Sequence, residues 1–295
     1  MDKFKKIATI NVLNIPKNIE EQIQKYSEEK VMFYSDDSQS EDETISRIGD
    51  ADAVLGSWNS TITKKVLDSC PNIKYIGICG TSLTKVDVEE VKKHNIILKN
   101  VTDYGDEATA EFIFAQLLNL YRGFGKYHLE EVPSELNGKT IGIIGLGAVG
   151  RQVAGIALGF NMKVTYFSRT RNSEFENKDL VFQELETLLA TSDIISLCVP
   201  RNLNIIGQHE FSLIKPNAIL VNTAIGNVFD LPSFIEWISK GQNFFIVDNQ
   251  EYIDQIKNLK NVIALSITAG KTKESIDRLS KKIISNIEKY LSEIN

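Results

Sequence analysis

Short apolar runs alternate with segments whose apolar residues recur at helical spacing along most of this chain. That is the pattern of an α/β protein built on parallel sheets. In the first half, Lys6–Leu13, Ala51–Gly56, Ile73–Ile78 and Ile96–Lys99 are predicted strands, with helices over Thr63–Cys70 and Asp87–Lys93. From Asp106 to Tyr121 the chain is apolar on most faces, which predicts a long helix buried against another element or a subunit. Gly123–Gly138 is polar, carries Gly123, Gly125, Pro133 and Gly138, and reads as a linker. A second series follows, with strands Thr140–Ile144, Lys163–Phe167, Asp193–Val199, Ala218–Asn222, Phe244–Val247 and Val262–Leu265. Helices are predicted over Val149–Gly159, Leu185–Ala190 and Pro232–Lys240. The closing helix, Lys273–Leu291, carries Ile276, Leu279, Ile283, Ile287 and Tyr290 at helical spacing. The two halves read as separate α/β units, with the last helix returning to the first.

Composition narrows the class. A chain of 295 residues has the length for two domains with proper cores. Its net charge of −6 argues against nucleic acid or an anionic membrane as the main partner. The charged lead-in Met1-Asp-Lys-Phe-Lys-Lys is not followed by an apolar run of signal-peptide length. No stretch reaches the roughly twenty apolar residues of a membrane span, so a cytoplasmic protein is expected. Cys70, Cys79 and Cys198 are odd in number and form no CxxC, so neither a disulfide framework nor a metal site is expected. The three histidines, His94, His128 and His209, all sit among polar residues and read as solvated surface.

The sharpest motif is Gly145-Leu146-Gly147-Ala148-Val149-Gly150, which follows an apolar strand and opens a helix. That context is what a dinucleotide fingerprint requires. Gly145 permits the tight turn, Gly147 lets a pyrophosphate approach the backbone, and Gly150 lets the helix pack closely on the strand. The N–H groups at the helix start then bind phosphate. About twenty residues past the motif, an NAD site places an acid to accept from the ribose hydroxyls. Here the chain reads Phe167-Ser168-Arg169-Thr170-Arg171, with no acid. Ser168 and Thr170 can donate to a 2′-phosphate, and Arg169 and Arg171 supply charge and a bidentate fork. The expectation is NADP(H) in preference to NAD(H).

With these residues in view, the chain resembles the D-isomer-specific 2-hydroxyacid dehydrogenases, which include glyoxylate/hydroxypyruvate reductases and phosphoglycerate dehydrogenases. Gly80-Thr-Ser-Leu-Thr-Lys-Val-Asp87 is similar to the family's G-x-G-x-D-x-x-D substrate loop. Asn100-Val-Thr-Asp-Tyr104 and Ala108-Thr-Ala-Glu111 resemble its crossing into a long helix, and Asn137–Gly147 its L-x-G-K-T-x-G-I-I-G-L-G stretch. Lys215-Pro-Asn-Ala-Ile-Leu-Val-Asn-Thr-Ala224 resembles M-K-P-G-A-x-L-I-N-x-A. The resemblance implies two Rossmann-like, doubly wound parallel-sheet domains. Residues 1–103 and 272–295 would form a flavodoxin-like lid, and 104–271 an inserted NADP(H)-binding domain that makes a homodimer. It also implies a small-molecule ligand in the cleft between them, no nucleic acid and no membrane. Cofactor contacts would come from residues 145–150, Ser168, Arg169, Thr170, Val199, Pro200, Thr223, Ala224 and Asp248. Substrate contacts would come from Trp58, Thr81, Ser82 and Tyr104.

The family's catalysis uses an Arg, a Glu and a His, and this chain departs at all three places. Asn222-Thr-Ala-Ile225-Gly226 stands for N-x-A-R-G, so Ile225 holds the Arg position. Asn261-Val-Ile-Ala-Leu-Ser-Ile267-Thr-Ala-Gly270 stands for N-V-x-x-T-P-H-x-A-G, so Ile267 holds the His position. Counting from Asp248 puts Ile253 at the Glu position, while a loop deletion would bring Glu251 there instead. Two functions from different classes remain. One is an NADPH-dependent reductase of an atypical substrate, such as an imine or a less polar carbonyl, with Tyr104, Thr268 or water supplying a proton. The other is a non-catalytic NADP(H)-binding scaffold or sensor. On either, ordinary 2-keto-acid reduction is expected to be absent or very weak.

Overall fold

Residues 3–293 are described in the computed structural model of the chain. Met1 and Asp2 of the charged lead-in, and Ile294 and Asn295 at the end of the expected lid segment, lie outside the described residues. The chain divides into two compact units. One runs up to Tyr104 and takes in the residues from Lys273 onward; the other is Gly105–Thr272.

The first unit carries β1 (Ile7–Thr9), α1 (Lys17–Gln24), α2 (Glu41–Ile48), β2 (Ala53–Ser57), α3 (Lys64–Ser69), β3 (Tyr75–Cys79), α4 (Val88–Lys93) and β4 (Ile97–Asn100). Its four strands are parallel, in the order β1-β2-β3-β4. Successive side chains point to opposite faces, so each strand feeds two cores. On one face Leu55 and Tyr75 meet Leu279, Ile283, Ile287 and Tyr290 of the C-terminal helix Lys273–Glu293. Tyr290 stacks on Phe4 with ring centres 5.3 Å apart. On the other face Val54, Ile76 and Ile78 meet Ile48, Val66 and Val91 from the helices.

The first strand is shorter than its apolar run predicts, Ile7–Thr9 rather than Lys6–Leu13. Polar side chains take over its ladder: Ser60 Oγ donates to buried Asn11 Oδ1 at 2.6 Å, and Val12 N–H donates to Asp37 at 3.0 Å. Asn14 then enters the left-handed region at φ 53°, which ends the extended run.

The second unit opens with α5 (Asp106–Arg122), which stops at Gly123 in the left-handed conformation, φ 64°. After a stretch without helix or strand come β5 (Thr140–Ile144), α6 (Ala148–Gly159), β6 (Lys163–Phe167), β7 (Leu180–Phe182), α7 (Leu185–Thr191) and β8 (Ile194–Leu197). Then follow α8 (Gln208–Leu213), β9 (Ile219–Asn222), α9 (Leu231–Ser239), β10 (Phe244–Val247), α10 (Ile253–Ile256) and β11 (Val262–Ala264). All seven strands are parallel, in the order β7-β6-β5-β8-β9-β10-β11. Ile113, Phe114 and Leu117 of α5 and Val153 of α6 cover one face through Ile143, Ile194 and Val221. Leu188, Phe234 and Trp237 cover the other through Leu197, Leu220 and Phe245. Burial on both faces explains why these strands read as continuous apolar runs. Strand order reverses between β5 and β8, and ligands of open α/β sheets bind outside the strand C-termini at such a switch point. No described helix is long and apolar enough to cross a membrane.

Candidate functional site

The switch point is where the glycine motif lies, and its three glycines meet three different constraints. Gly145 has φ 100°, and a Cβ there would come within 2.4 Å of the Cys198 carbonyl oxygen. A Cβ on Gly150 would lie 2.1 Å from the Gly145 carbonyl oxygen, so α6 packs hard against the turn. Gly147, the N-cap of α6, is exposed and has nothing within 4 Å of its Cβ position. Two glycines are thus needed for packing, and the third leaves open space before the unpaired N–H groups of a twelve-residue helix. This cradle fits a dinucleotide pyrophosphate. Ala148 and Val149 supply the first turn, and Leu146 is buried beneath it.

Beyond β6, the Ser168 hydroxyl donates to the Thr170 carbonyl at 2.5 Å, which tightens the loop. Arg169 is exposed, and no ion pair is formed by it among the described residues. Arg171 is committed elsewhere: its Nε and Nη2 each donate to the Glu176 carboxylate at 2.7 Å. The Tyr166 hydroxyl donates to the same carboxylate at 2.7 Å and accepts from Asn172 N–H at 3.0 Å. The Arg171 and Tyr166 bonds hold the Glu176 carboxyl down to about 2. The fork expected of Arg171 is therefore spent inside the loop, while Arg169, next to Ser168, stays exposed. Glu176 escaped the sequence reading because nothing in a Ser-Glu-Phe-Glu run marks which acid turns inward.

At the carboxyl ends of β8, β9 and β10 three loops are stitched together. Val199 and Pro200 lead from β8 into Arg201 and Asn202; Asn202 N–H donates to the Ile225 carbonyl at 3.2 Å, and Asn227 N–H to Asn202 Oδ1 at 3.1 Å. After β9, buried Asn222 donates to the Tyr252 hydroxyl at 2.6 Å and accepts from Ala224 N–H at 3.0 Å, which fixes the turn through Thr223. Asp248 follows β10; Gln250 Nε2 donates to its carboxylate at 2.6 Å and Ala269 N–H at 3.0 Å. Burial nonetheless pushes the Asp248 carboxyl up. Gln250 in turn accepts from Gly226 N–H at 3.3 Å.

The three isoleucines have different surroundings. Ile225 and Ile267 are 44% and 58% exposed, apolar side chains displayed at the carboxyl edge of the sheet. Asn249 N–H donates to the Ile267 carbonyl at 3.0 Å, which ties that loop to β10. Ile253 is half-buried at the start of α10. Glu251 points outward and accepts from Arg201 Nη2 at 3.3 Å. An open cavity of about 610 Å³ is lined by Ile267 and Thr268 together with Ala108, Glu111 and Phe112 of α5.

In the first unit, the structure brings Trp58, Thr81 and Ser82 to one end of the four-stranded sheet. A Cβ on Gly80 would meet Trp58 Cβ at 2.7 Å, so the indole stem lies against the Thr81 loop. Thr81 Oγ1 donates to the Val101 carbonyl at 3.2 Å, and Ser82 Oγ lies 2.9 Å from Thr84 Oγ1. Tyr104 is half-buried against the core that the C-terminal helix shares, and its carbonyl accepts from Arg278 Nε at 2.9 Å. None of the histidines joins these groups. His94 contacts Asp68 at 3.1 Å, His209 contacts Glu186 at 3.1 Å, and His128 lies against Gly123.

Fold, switch point and glycine cradle together define an oxidoreductase-type protein with an NAD(P)-binding Rossmann domain. A sequence profile for the "D-isomer specific 2-hydroxyacid dehydrogenase, NAD binding domain" matches residues 117–266. A glyoxylate reductase from Thermococcus litoralis is 31% identical over 269 residues, spanning 82% of this chain and 81% of that protein. A hydroxypyruvate reductase from Blautia hydrogenotrophica is 28% identical over 275 residues, 85% of each chain. The chain belongs to the D-isomer specific 2-hydroxyacid dehydrogenase family. Among solved structures, an acyclic imino acid reductase in complex with NADPH and D-Arg superposes with a TM-score of 0.84 at 29% identity, over 98% of both chains. D-2-hydroxyisocaproate dehydrogenase, at 22% identity and a TM-score of 0.82 over 98% and 97%, shares the fold.

Proposed function

We propose that this chain is an NADP(H)-dependent reductase of imines rather than of 2-keto acids. One combination carries the reading: the glycine cradle is intact, and the positions that the motifs assign to the family's arginine and histidine read as Ile225 and Ile267, both exposed apolar side chains. Its likeness to a reductase solved with NADPH and D-Arg supports the substrate class and the cofactor. Residues 145–150 would hold the pyrophosphate, and Ser168, Arg169 and Thr170 the 2′-phosphate. Val199, Pro200, Thr223, Ala224 and Asp248 would line the remainder of the cofactor. NADPH, when bound, supplies hydride.

The chemistry explains why a catalytic pair is dispensable. Reduction of a carbonyl builds negative charge on oxygen, which needs a cation and a proton donor. A protonated imine already carries its positive charge, and addition of hydride to its carbon leaves a neutral amine. Ile225 and Ile267 then leave an apolar edge at a site where no alkoxide has to be held. An arginine, or a protonated histidine, beside a cationic imine would repel it.

The test is a cofactor-oxidation assay with NADPH and NADH over methylamine imines of 2-keto acids, set beside glyoxylate and hydroxypyruvate without amine. NADPH consumption with the imines and negligible turnover of the keto acids is expected. Ordinary glyoxylate turnover, on the order of 1–10³ s⁻¹, overturns the reading. NADPH binding without any turnover favours the alternative, a non-catalytic cofactor-binding scaffold or sensor.

A further inference from the structure

Resting on the NADP(H) reading of the cofactor, we infer that Arg151 is a cofactor-specificity residue that meets the 2′-phosphate together with Ser168 and Arg169. It sits at the start of α6, where its N–H donates to the N-cap carbonyl of Gly147 at 3.0 Å. Side chains of a helix lean towards its N-terminus. The exposed guanidinium accordingly turns back to the glycine turn, with Nη1 3.5 Å from the Leu146 carbonyl oxygen. At that range the contact is weak.

On stability grounds this is a poor place for a cation. The N-terminus of a helix is the positive end of its dipole, and its unpaired N–H groups point the same way. No acid lies in the first turn of α6, and no carboxylate pairs with Arg151 among the described residues. The side chain is nevertheless seated: its guanidinium lies over the Phe175 ring, with Cζ 4.9 Å from the ring centre. Phe175 belongs to the loop that begins at Ser168. Its N–H donates to the Asn172 carbonyl at 3.0 Å, and Asn172 N–H donates to the Tyr166 hydroxyl at 3.0 Å, which fixes the ring from β6. The guanidinium thus bridges the glycine turn and the loop that carries the ribose reader. Its donors lie in its own plane, so a ring against one face leaves the edges open to a phosphate. A 2′-phosphate there is attracted by both the guanidinium and the helix end.

The experiment is calorimetric titration of NADPH and of NADH into the wild-type protein, Arg151→Gln, Phe175→Leu and the double variant, beside melting curves without nucleotide. Arg151→Gln is expected to weaken NADPH about tenfold or more and to leave NADH nearly unchanged. Its melting temperature should stay close to the wild type's, since the ring contact and the helix-end repulsion it removes are of similar size and opposite sign. Phe175→Leu unseats the guanidinium and should weaken NADPH severalfold, with no further loss once position 151 is already Gln. Equal loss of both nucleotides in Arg151→Gln puts the guanidinium on the shared pyrophosphate and overturns the assignment. So does a Phe175→Leu loss that persists undiminished in the double variant. The cofactor reading and this one fail distinguishably. A wild-type protein that binds both nucleotides equally sinks both, whereas a wild-type preference for NADPH that Arg151→Gln preserves sinks this inference alone.

Discussion

Arg171 grips Glu176 with both prongs of its guanidinium, at 2.7 Å each, and so withdraws itself from any ligand. Arg169, which directly follows Ser168 at the end of β6, is exposed and is the group we expect to meet a 2′-phosphate. Arg169→Ala should weaken NADPH by about tenfold or more, the worth of a charge-assisted contact, and leave NADH unchanged. Arg171→Ala should affect both cofactors alike, because it loosens the loop and not a phosphate contact. Fluorescence titration of the two nucleotides measures this; equal loss of NADPH and NADH in Arg169→Ala would contradict it.

The same pair has a pH signature. Glu176 titrates ordinarily near 4.5 when unfolded and is held down to about 2 by its Arg171 and Tyr166 bonds. The folded value lies below the unfolded one, so the stabilisation is complete above 4.5 and is lost as the pH falls towards 2. The melting temperature of Glu176→Gln should therefore lie below that of the wild type at neutral pH, with the gap closing through that acidic window. A gap that stays constant to pH 2 means the carboxylate charge contributes nothing.

How far this molecule is readable from its residues depends on the range of the interaction concerned. The parallel strands were legible because burial on both faces leaves uninterrupted runs such as Ile141–Ile144 and Phe244–Val247. The strand from Lys6 was overextended, because its end is set by Ser60 and Asp37, far along the chain. Short polar helices, Lys17–Gln24 and Glu41–Ile48, went unread; each contributes only one or two buried residues, too few to show a period. Within the site, the glycine spacing is local chemistry and was readable. Arg201–Glu251 and Arg171–Glu176 are pairings that only the folded loops create.

The glycines separate fold from cofactor. Gly150→Ala puts a methyl group 2.1 Å from a backbone oxygen, which must move; overpacking of this kind costs about 1–3 kcal/mol. Gly147→Ala meets nothing within 4 Å and should leave the melting temperature nearly unchanged. It fills the space a pyrophosphate needs, so dinucleotide affinity should fall. Melting curves and NADPH titrations of the two variants distinguish these effects, and normal NADPH binding by Gly147→Ala would place the cofactor elsewhere.

Exposure makes the two positions that we read as the family's arginine and histidine testable without disturbing the core. Ile225→Arg and Ile267→His alter side chains 44% and 58% exposed, and each should change stability by no more than about 0.5 kcal/mol. Neither alone restores carbonyl chemistry, since the cation and the proton donor act on the same developing alkoxide. Together they should raise glyoxylate reduction by about 10²-fold or more, the lower range of general-acid assistance. Turnover of a cationic imine should fall in the same variant, because two positive groups now face it. Steady-state rates on both substrates decide this. A double variant that reduces imines as before and gains nothing on glyoxylate would mean that these loops do not border the reacting atoms.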